Sequence, residues 1–181
     1  MIPNERFVEA GGERIPALGF GTWQLTGDEC RDAVLDALEM GYRHLDTASS
    51  YQNEEAVGRA LHESGVDRDE VWLTTKVWWT DLTFEECLQS AEESLERLGV
   101  DHIDLLLIHW PNEELSLDEP LSAMKKLRDG PRVRSLGVSN FTPQLLQKAL
   151  DRAPSCATRW STTHSWRRTG FWRWPRRTTW S

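Results

Sequence analysis

The sequence has no pair of cysteines spaced for a disulfide framework or a zinc site. Its three cysteines, Cys30, Cys87 and Cys156, form no CxxC motif. The first two fall in helix-like segments, where a cysteine usually acts as a small buried apolar residue. We therefore expect neither a disulfide nor a bound metal.

Long hydrophobic runs are also missing. No apolar run approaches the roughly 18 residues that a membrane-spanning helix needs. The first residues, MIPNERF, lack the apolar segment of a secretory signal peptide. The sequence therefore predicts a cytoplasmic protein without a membrane segment.

Acidic residues are absent from one end of the chain. Residues 152–181 contain none of the 29 acidic residues, but they hold seven of the 21 basic residues and five of the ten tryptophans. This leaves 14 basic and 29 acidic residues, a net charge of −15, in residues 1–151. Such an acidic surface argues against a nucleic-acid or anionic-membrane partner, and the two parts of the chain differ chemically.

Between residues 17 and 150, β-rich runs alternate with amphipathic stretches. The runs read ALGFGTW, YRHLDTA, VWLTTKVW, IDLLLIHW and VRSLGVSN. The third amphipathic stretch shows the clearest helical spacing, with glutamates between apolar positions. These positions are Phe84, Cys87, Leu88, Ala91, Leu95 and Leu98. The pattern predicts five consecutive βα units.

Local signals mark where these helices begin and end. Thr83 with Glu86 indicates a capping box, and Thr142 before Pro143 fits an N-cap followed by a first-turn proline. Four glycines follow predicted helices, where a left-handed residue is favoured. They are Gly41, Gly65, Gly99 and Gly130. Before the first unit, Gly11-Gly12 separates two short alternating runs, which predicts a hairpin that closes the floor of a barrel.

A parallel sheet of βα units is either doubly wound or closed as a (β/α)8 barrel. Each run is apolar until its C-terminal end, and in a barrel such ends meet on one face. The polar residues there are Thr22, Asp46, Lys76, His109, Ser139 and Asn140. Gln24 replaces the third glycine of a dinucleotide-binding GxGxxG motif, which argues against a doubly wound Rossmann fold. We therefore predict an α/β fold, an incomplete (β/α)8 TIM barrel with an N-terminal hairpin and about five βα units.

Four of the polar residues form a candidate proton donor. A tyrosine such as Tyr51 has a pKa of about 10 in water and is a poor acid unless a cation stabilises its phenolate. Lys76 could supply that cation, and Asp46 could keep the lysine charged. His109 could then orient a substrate oxygen.

Each of these four residues also has a simpler interpretation. Asp46 could cap the next helix, and Tyr51 could be an exposed loop aromatic. Lys76 could be a strand-end charge that reaches water, and His109 a hydrogen-bonded histidine at a strand terminus. Taken one at a time, these structural interpretations are favoured over catalysis.

Taken together, the motifs resemble successive signatures of the aldo-keto reductases over residues 5–150. The matching segments are RIPALGFGTWQ, GYRHLDTASSYQNEEAVGRAL, LTTKVWW, LLLIHWP and VRSLGVSNF. The resemblance implies an enzyme that reduces aldehydes or ketones with NADPH, or with NADH. It also implies that Tyr51 donates the proton, that Lys76 and Asp46 lower its pKa, and that His109 orients the carbonyl.

The same resemblance implies the binding residues. Those that would hold the cofactor are Gly21, Thr22, Trp23, Asp46, Ser139 and Asn140. Those that would line the substrate pocket are Trp23, Trp78, His109 and Trp110. It further implies a small carbonyl substrate, no nucleic-acid or membrane partner, and a monomer if the chain is full length. The alternative is a non-enzymatic binding or regulatory protein of the same fold, since fold does not determine function.

The basic end of the chain departs from the family pattern. A sixth strand there usually resembles N-Q-V-E-Y-H-P, whereas residues 156–166 read CATRWSTTHSW. Synonymous codons can be chosen for this stretch so that a shifted reading frame encodes Arg-Asn-Gln-Val-Glu-Tyr-His-Pro-Leu-Leu. The match holds even at Trp160, which has only one codon and so allows no choice. We therefore expect a frameshift between about Arg152 and Cys156. On this hypothesis residues 1–151 are the N-terminal part of a barrel and residues 152–181 are an aberrant, disordered tail.

A frameshift at this place has consequences for the product. A closed barrel has roughly 250 residues and eight strands, so five strands would leave unpaired sheet edges and an open apolar interior. We expect such a truncated chain to aggregate, to bind cofactor weakly and to be inactive. The alternative is a basic, aromatic tail that evolved to bind nucleic acid.

Overall fold

A computed structural model of the chain describes residues 6–10, 12–152 and 157–159. Its strands are β1 (Phe7–Ala10), β2 (Glu13–Pro16), β3 (Phe20–Gly21), β4 (His44–Asp46), β5 (Trp72–Val77), β6 (Ile103–Ile108), β7 (Val133–Ser139) and β8 (Ala157–Arg159). Its α-helices are α1 (Gly27–Glu39), α2 (Glu54–Glu63), α3 (Phe84–Leu98), α4 (Asp118–Asp129) and α5 (Pro143–Arg152). The predicted alternation of strands and helices is confirmed.

The N-terminal hairpin packs against the N-terminal ends of the strands of the main sheet. Strands β1 and β2 pair antiparallel, with Ala10 opposite Glu13. Gly12 has a φ of +89°, a left-handed value that glycine adopts without steric cost. Ile15 packs against Trp72, the first residue of β5, and against Leu105 and Leu107. The hairpin therefore covers the N-terminal ends of the strands, as expected of a barrel floor.

The other six strands form one parallel sheet in chain order, β3-β4-β5-β6-β7-β8. A doubly wound fold reverses its strand order at a switch point, whereas a barrel adds each strand beside the previous one. Right-handed crossovers then place all the helices on the same face of the sheet. The order confirms the α/β barrel arrangement predicted from the sequence.

Strand β8 corrects one expectation from the sequence. The composition after Arg152 predicted no sixth strand, yet Ala157–Arg159 pairs parallel with β7, from Gly137 opposite Ala157 to Ser139 opposite Arg159. Pairing of this kind uses backbone groups, so a short strand can form without the alternating apolar pattern that marks a strand in a sequence. The edge of β7 is therefore covered over these three residues. The rest of the predicted tail, residues 153–156 and 160–181, lies outside the described residues.

The helix ends follow the sequence signals with one exception. Thr83 accepts a hydrogen bond from the backbone N–H of Glu86 at 3.4 Å, and Thr142 accepts one from Leu145 at 3.3 Å. Gly41, Gly65 and Gly99 have positive φ, as predicted. Gly130 does not, because its φ is −92° and its ψ is −174°. The following residue is proline, which disfavours helical conformations of the residue before it and favours extended ones.

Side chains from the two faces of the sheet enter different environments. Alternate residues such as Val77, Leu106 and Ile108 pack against α3, α4 and α5 in the larger apolar core. Leu45 and Leu73 pack against α1 and α2 in a second core. Because strand side chains alternate, Lys76 lies on the face opposite Val77, away from the helices. The helical layer therefore stabilises the sheet and leaves the other face to carry the site.

Helices α2 and α3 approach closely at one glycine. A Cβ added at Gly58 would lie against the backbone carbonyl of Leu98, 2.6 Å from its carbon. A backbone carbonyl at the end of a packed helix cannot rotate away as a side chain can. The sequence places no bulkier residue at this point, and the close contact fixes the position of α2.

We predict that Gly58→Ala destabilises the fold by about 1–3 kcal/mol, because overpacking outweighs the helix-propensity gain of roughly 1 kcal/mol. Urea unfolding followed by circular dichroism would measure the loss. Gly130→Ala is the matched control, since its Cβ would meet no atom closer than 3.5 Å. Equal stability of Gly58→Ala and wild type would contradict the close contact of α2 with α3.

Candidate active site

The C-terminal ends of the parallel strands bring the predicted polar residues to one edge of the sheet. Asp46 is the last residue of β4, and Lys76 lies one residue before the end of β5. His109 directly follows β6 and Ser139 ends β7. Tyr51 is carried by a 3₁₀ turn, Ser49–Tyr51, between β4 and α2. A short turn after the strand therefore brings this tyrosine back over the strand ends.

A buried ion pair occupies the centre of the site. The Lys76 ammonium donates to Asp46 Oδ1 at 2.8 Å and to the Thr47 backbone oxygen at 2.6 Å. It also contacts Tyr51 Oη at 3.4 Å. These partners account for the three hydrogen atoms of the ammonium group. The lysine is 3% exposed, so the contacts hold its nitrogen in one place.

The charge state of Lys76 is balanced between opposing effects. Burial lowers its pKa to about 7, and the negative charge of Glu54 opposes that shift. Asp46, 2.8 Å from Nζ, also favours the charged form. With a pKa of about 7, Lys76 can gain or lose its proton near neutral pH when the charge of a neighbouring group changes.

Tyr51 differs from the sequence-based expectation. The resemblance implied that Lys76 and Asp46 lower the pKa of this tyrosine, but burial raises the pKa of Tyr51. The Lys76 Nζ lies 4.8 Å from the tyrosine ring centre, yet its shortest hydrogen bonds go to Asp46 and Thr47. Desolvation of the phenolate therefore outweighs attraction to the lysine in this arrangement. Tyr51 keeps its proton at neutral pH and is available as a donor.

His109 is held by contacts on several sides. Ser50 Oγ lies 3.3 Å from Nδ1, and the Asn140 amide donates to the His109 backbone oxygen at 2.8 Å. The rings of Tyr51 and Trp78 meet the imidazole edge to face, with centroids 5.5 Å and 5.0 Å away. Burial, assisted by the positive charge of Lys76, lowers the pKa of His109 to about 4. The imidazole is therefore neutral at physiological pH and carries one N–H.

Besides Asp46, four of the residues expected to bind cofactor are tied to this centre. Thr22 donates from its backbone nitrogen and its hydroxyl to the Asp46 backbone oxygen, at 3.0 Å and 3.2 Å. Asn140 adopts a φ of +63°, which asparagine tolerates better than most residues, and donates to Ser139 Oγ at 3.0 Å. Gly21 pairs with Asp46 in the sheet. The first and last of the five predicted units thus reach the same centre.

The tryptophans predicted to line the pocket fall into two groups. Trp78 follows β5 directly and is half-buried against His109. Trp23 and Trp110 are about half exposed, at 54% and 45%. The neighbouring Trp79, which was not among the predicted pocket residues, is exposed to 42%. Trp78 is therefore the tryptophan that the structure joins to the catalytic candidates, and the others flank the strand ends with free ring surface.

Sequence analysis missed Asn53, which connects two loops beneath the site. This buried residue accepts from Thr47 Oγ1 at 2.7 Å and donates to the backbone oxygens of Thr22 and Leu25, at 2.8 Å and 2.9 Å. Its sequence signal was its position two residues after Tyr51. Its burial depends on the loop between β3 and α1, which no local pattern reports. Asn53 is therefore a scaffold for the strand ends that carry Thr22 and Asp46.

The described residues contain no group of three or more His, Cys, Asp or Glu side chains arranged to hold a metal ion. In the same part of the chain, no helix combines the length and the apolarity that crossing a bilayer requires.

The pKa of His109 predicts a pH dependence of stability. Its folded-state value of about 4 lies below the ordinary 6.5, so the unfolded chain binds this proton more tightly. The contribution of His109 to the free energy of unfolding should therefore rise by about 2–3 kcal/mol as pH increases from about 4 to about 6.5. Thermal unfolding across this range, compared between wild type and His109→Gln, isolates that contribution.

The control for this experiment is His62→Gln, which removes an exposed histidine of α2. The difference in the free energy of unfolding between wild type and His62→Gln should not rise with pH in this range, whereas the difference between wild type and His109→Gln should. A difference curve for His109→Gln that stays flat between pH 4 and pH 6.5 would contradict the burial of this imidazole.

A sequence model described as the Aldo/keto reductase family matches residues 17–163. The chain is 46% identical over 141 residues to an aldo-keto reductase of Mycobacterium sp. (strain KMS), covering 77% of this chain and 51% of that protein. It is 46% identical over 138 residues to the methylglyoxal reductase of Escherichia coli O157:H7, covering 75% of this chain and 52% of that protein. The chain thus spans about half the length of these relatives.

Solved structures agree with the sequence comparison. A crystal structure of an aldo/keto reductase from Brucella melitensis superposes with a TM-score of 0.81 at 41% identity, over 86% of this chain and 62% of that one. A Bombyx mori aldo-keto reductase in complex with NADP superposes with a TM-score of 0.78 at 32% identity, over 86% and 59% of the two chains. With the family match across most of its length, the chain belongs to the aldo/keto reductase family.

Proposed function

We propose that this site reduces the carbonyl group of a small aldehyde or ketone to an alcohol, with NADPH or NADH as the reductant. The observation that carries the proposal is the contact of the Lys76 ammonium with both Asp46 and Tyr51, beside the neutral His109. A proton donor, a cation and a neutral hydrogen-bond donor are the groups that an oxyanion formed from a carbonyl requires.

Tyr51 is the proposed acid. Its half-buried phenol keeps its proton at neutral pH, because burial raises its pKa. When the phenol gives its proton to the substrate oxygen, a phenolate forms 3.4 Å from the Lys76 nitrogen. The lysine charge stabilises that phenolate, and the 2.8 Å contact with Asp46 keeps the charge in place. Reprotonation of Tyr51 from solvent completes the cycle.

His109 is proposed to orient the carbonyl. A neutral imidazole has one N–H to donate, and donation to the carbonyl oxygen would direct that oxygen toward the phenol of Tyr51. The ring is held against Trp78 and Tyr51 and cannot rotate freely. The restraint lowers the entropy cost of placing the carbonyl for reaction.

The residues at the end of β7 fit a nicotinamide carboxamide. This group both donates and accepts hydrogen bonds, and the Ser139 hydroxyl and the Asn140 side-chain amide offer both roles. Gly21, Thr22 and Trp23 lie at the C-terminal end of β3, on the same edge of the sheet, and would hold the same cofactor. When bound, the reduced nicotinamide supplies the hydride. The Bombyx mori relative that binds NADP supports the choice of NADPH for a first assay.

Methylglyoxal is a suitable first substrate, because one relative is named a methylglyoxal reductase. NADPH consumption at 340 nm measures the reaction. We predict that Tyr51→Phe lowers the rate by about 10²–10⁴-fold, since it removes the proton donor. Tyr42→Phe is the matched control, because Tyr42 packs edge to face against Phe20, away from the ion pair, and is the other tyrosine of the sequence. Equal rates for Tyr51→Phe and wild type would contradict the proposed acid.

We further propose that the reading frame changes near Arg152. The loss of acidic residues and the excess of Trp and Arg after this point support the change. With the synonymous codons described above, the alternative frame would encode Arg-Asn-Gln at the positions of Ala157–Arg159, the residues that form β8. The proposed break lies inside the family match, which runs to residue 163. Frame-restored protein and the 181-residue chain are therefore the two forms to compare.

We predict that the frame-restored protein binds NADPH at least about 100-fold more tightly than the 181-residue chain, because a complete barrel adds cofactor contacts from further strands. Fluorescence titration measures both affinities. Sequencing native DNA across codons 150 to 160 provides the independent check. Equal affinities, with codons in that DNA that cannot be regrouped to the family sequence, would contradict the frameshift.

A further inference from the structure

Glu54 is a buried carboxylate to which the proposed reaction assigns no role. It is the first residue of α2 and is 1% exposed. Thr75 Oγ1 donates to its Oε1 at 2.5 Å, and Arg97 Nε donates to its Oε2 at 2.8 Å. A carboxylate this deeply buried is costly unless it is paired, and both of its oxygens are paired here. The three residues join α2, β5 and α3 in one contact.

The position of Glu54 relates it to the catalytic centre. Its hydrogen-bond donor Thr75 precedes Lys76 on β5, and neighbouring strand residues point to opposite faces of a sheet. Glu54 therefore lies behind the strand, on the helical side, while Asp46 contacts Lys76 on the other side. Two carboxylates thus lie on opposite faces of β5, Asp46 in contact with Lys76 and Glu54 in contact with the neighbouring Thr75.

We propose that Glu54 is a positioning residue that acts through Lys76, keeping the lysine charged and keeping β5 in the register that places it beside Tyr51. This role rests on the proposed carbonyl reduction, in which a charged Lys76 stabilises the phenolate of Tyr51.

Charged or titratable groups from four neighbouring elements lie around Lys76. Asp46 on β4 lies 2.8 Å away, and the Tyr51 phenol lies 3.4 Å away. His109 after β6 is neutral at physiological pH, and Glu54 faces the strand from α2. Burial alone would discharge the lysine, and the negative charge of Glu54 opposes this. Glu54 thereby supplements Asp46, the direct partner of Lys76, from the helical side of the strand.

Arg97 of α3 weakens the electrostatic effect of Glu54 on Lys76. Its guanidinium is partly exposed and pairs with Glu54 at 2.8 Å and with Glu93, an exposed residue of the same helix, at 3.4 Å. The positive charge offsets part of the field that Glu54 exerts on Lys76. Removing Glu54 and removing Arg97 should therefore shift the lysine in opposite directions. A purely structural clamp would instead respond alike to both losses.

The composition of the chain makes this measurable by NMR. The sequence has four lysines, and Lys125, Lys126 and Lys148 are exposed, whereas Lys76 is buried. With ¹³C-labelled lysine, the Cε signal of Lys76 can be assigned by comparison with Lys76→Met and followed with pH in the 181-residue chain. This readout does not depend on cofactor or on activity.

We expect Glu54→Gln to lower the pKa of Lys76 by about one unit, because a nearby negative charge is lost. Arg97→Gln should raise it, since Glu54 is then less neutralised. Glu93→Gln is the matched control, because it removes a carboxylate that pairs with Arg97 at the surface, and should leave the Lys76 titration where it was. In the frame-restored protein, the pH profile of methylglyoxal reduction should move in the same direction for each variant.

Opposite shifts for Glu54→Gln and Arg97→Gln support the proposal, and shifts of the same sign or no shift in either overturn it. If Glu54→Gln does not fold, a raised pKa of Lys76 in Arg97→Gln still supports the proposal, and an unchanged pKa of Lys76 in that variant overturns it. Opposite shifts without carbonyl reduction by the frame-restored protein would keep the link between Glu54 and Lys76 while rejecting the proposed function.

Discussion

The buried ion pair between Lys76 and Asp46 is the interaction on which the rest of the site depends. It joins the ends of two neighbouring strands, at 2.8 Å and with the lysine 3% exposed. Breaking one side of a buried pair leaves an uncompensated charge, which typically costs 3–5 kcal/mol. The charge therefore persists only while β4, β5 and the turn after β4 keep their places. That turn also carries Tyr51, so one constraint sets both the cation and the proton donor.

The surrounding structure can be understood as support for this pair. Parallel register places Asp46 beside Thr74 and Lys76 beside Leu107, so adjacent strands end at one edge. Asn53 ties the loop after β3 to the turn after β4. On the helical side, the close approach of α2 to α3 at Gly58 places Glu54 and Arg97 behind β5. On the proposed role of Glu54, this packing on the helical side contributes to the electrostatics of the site.

Much of this arrangement was predictable, and the failures have physical causes. Helix periodicity, capping threonines and the hairpin around Gly12 report local preferences, and these predictions are confirmed. The predicted left-handed Gly130 was wrong, because the following proline imposes extended geometry. Strand β8 was not foreseen, since backbone pairing needs no apolar pattern. The net rise in the pKa of Tyr51 was also not foreseen, because burial of the phenol cannot be read from residue types.

The sequence by itself determined the α/β repeat, the order of its units and the polar residues at the strand ends, because alternation and capping act over a few residues. It also determined membership of the family, through motifs in a set order. Only the tertiary structure decided which of those polar residues meet. The 2.8 Å contact of Lys76 with Asp46, the hydrogen bonds of Asn53 to Thr22 and Leu25, and the pairing of Glu54 with Arg97 join residues 28 or more positions apart. Such contacts arise from packing of whole elements, which no local pattern encodes.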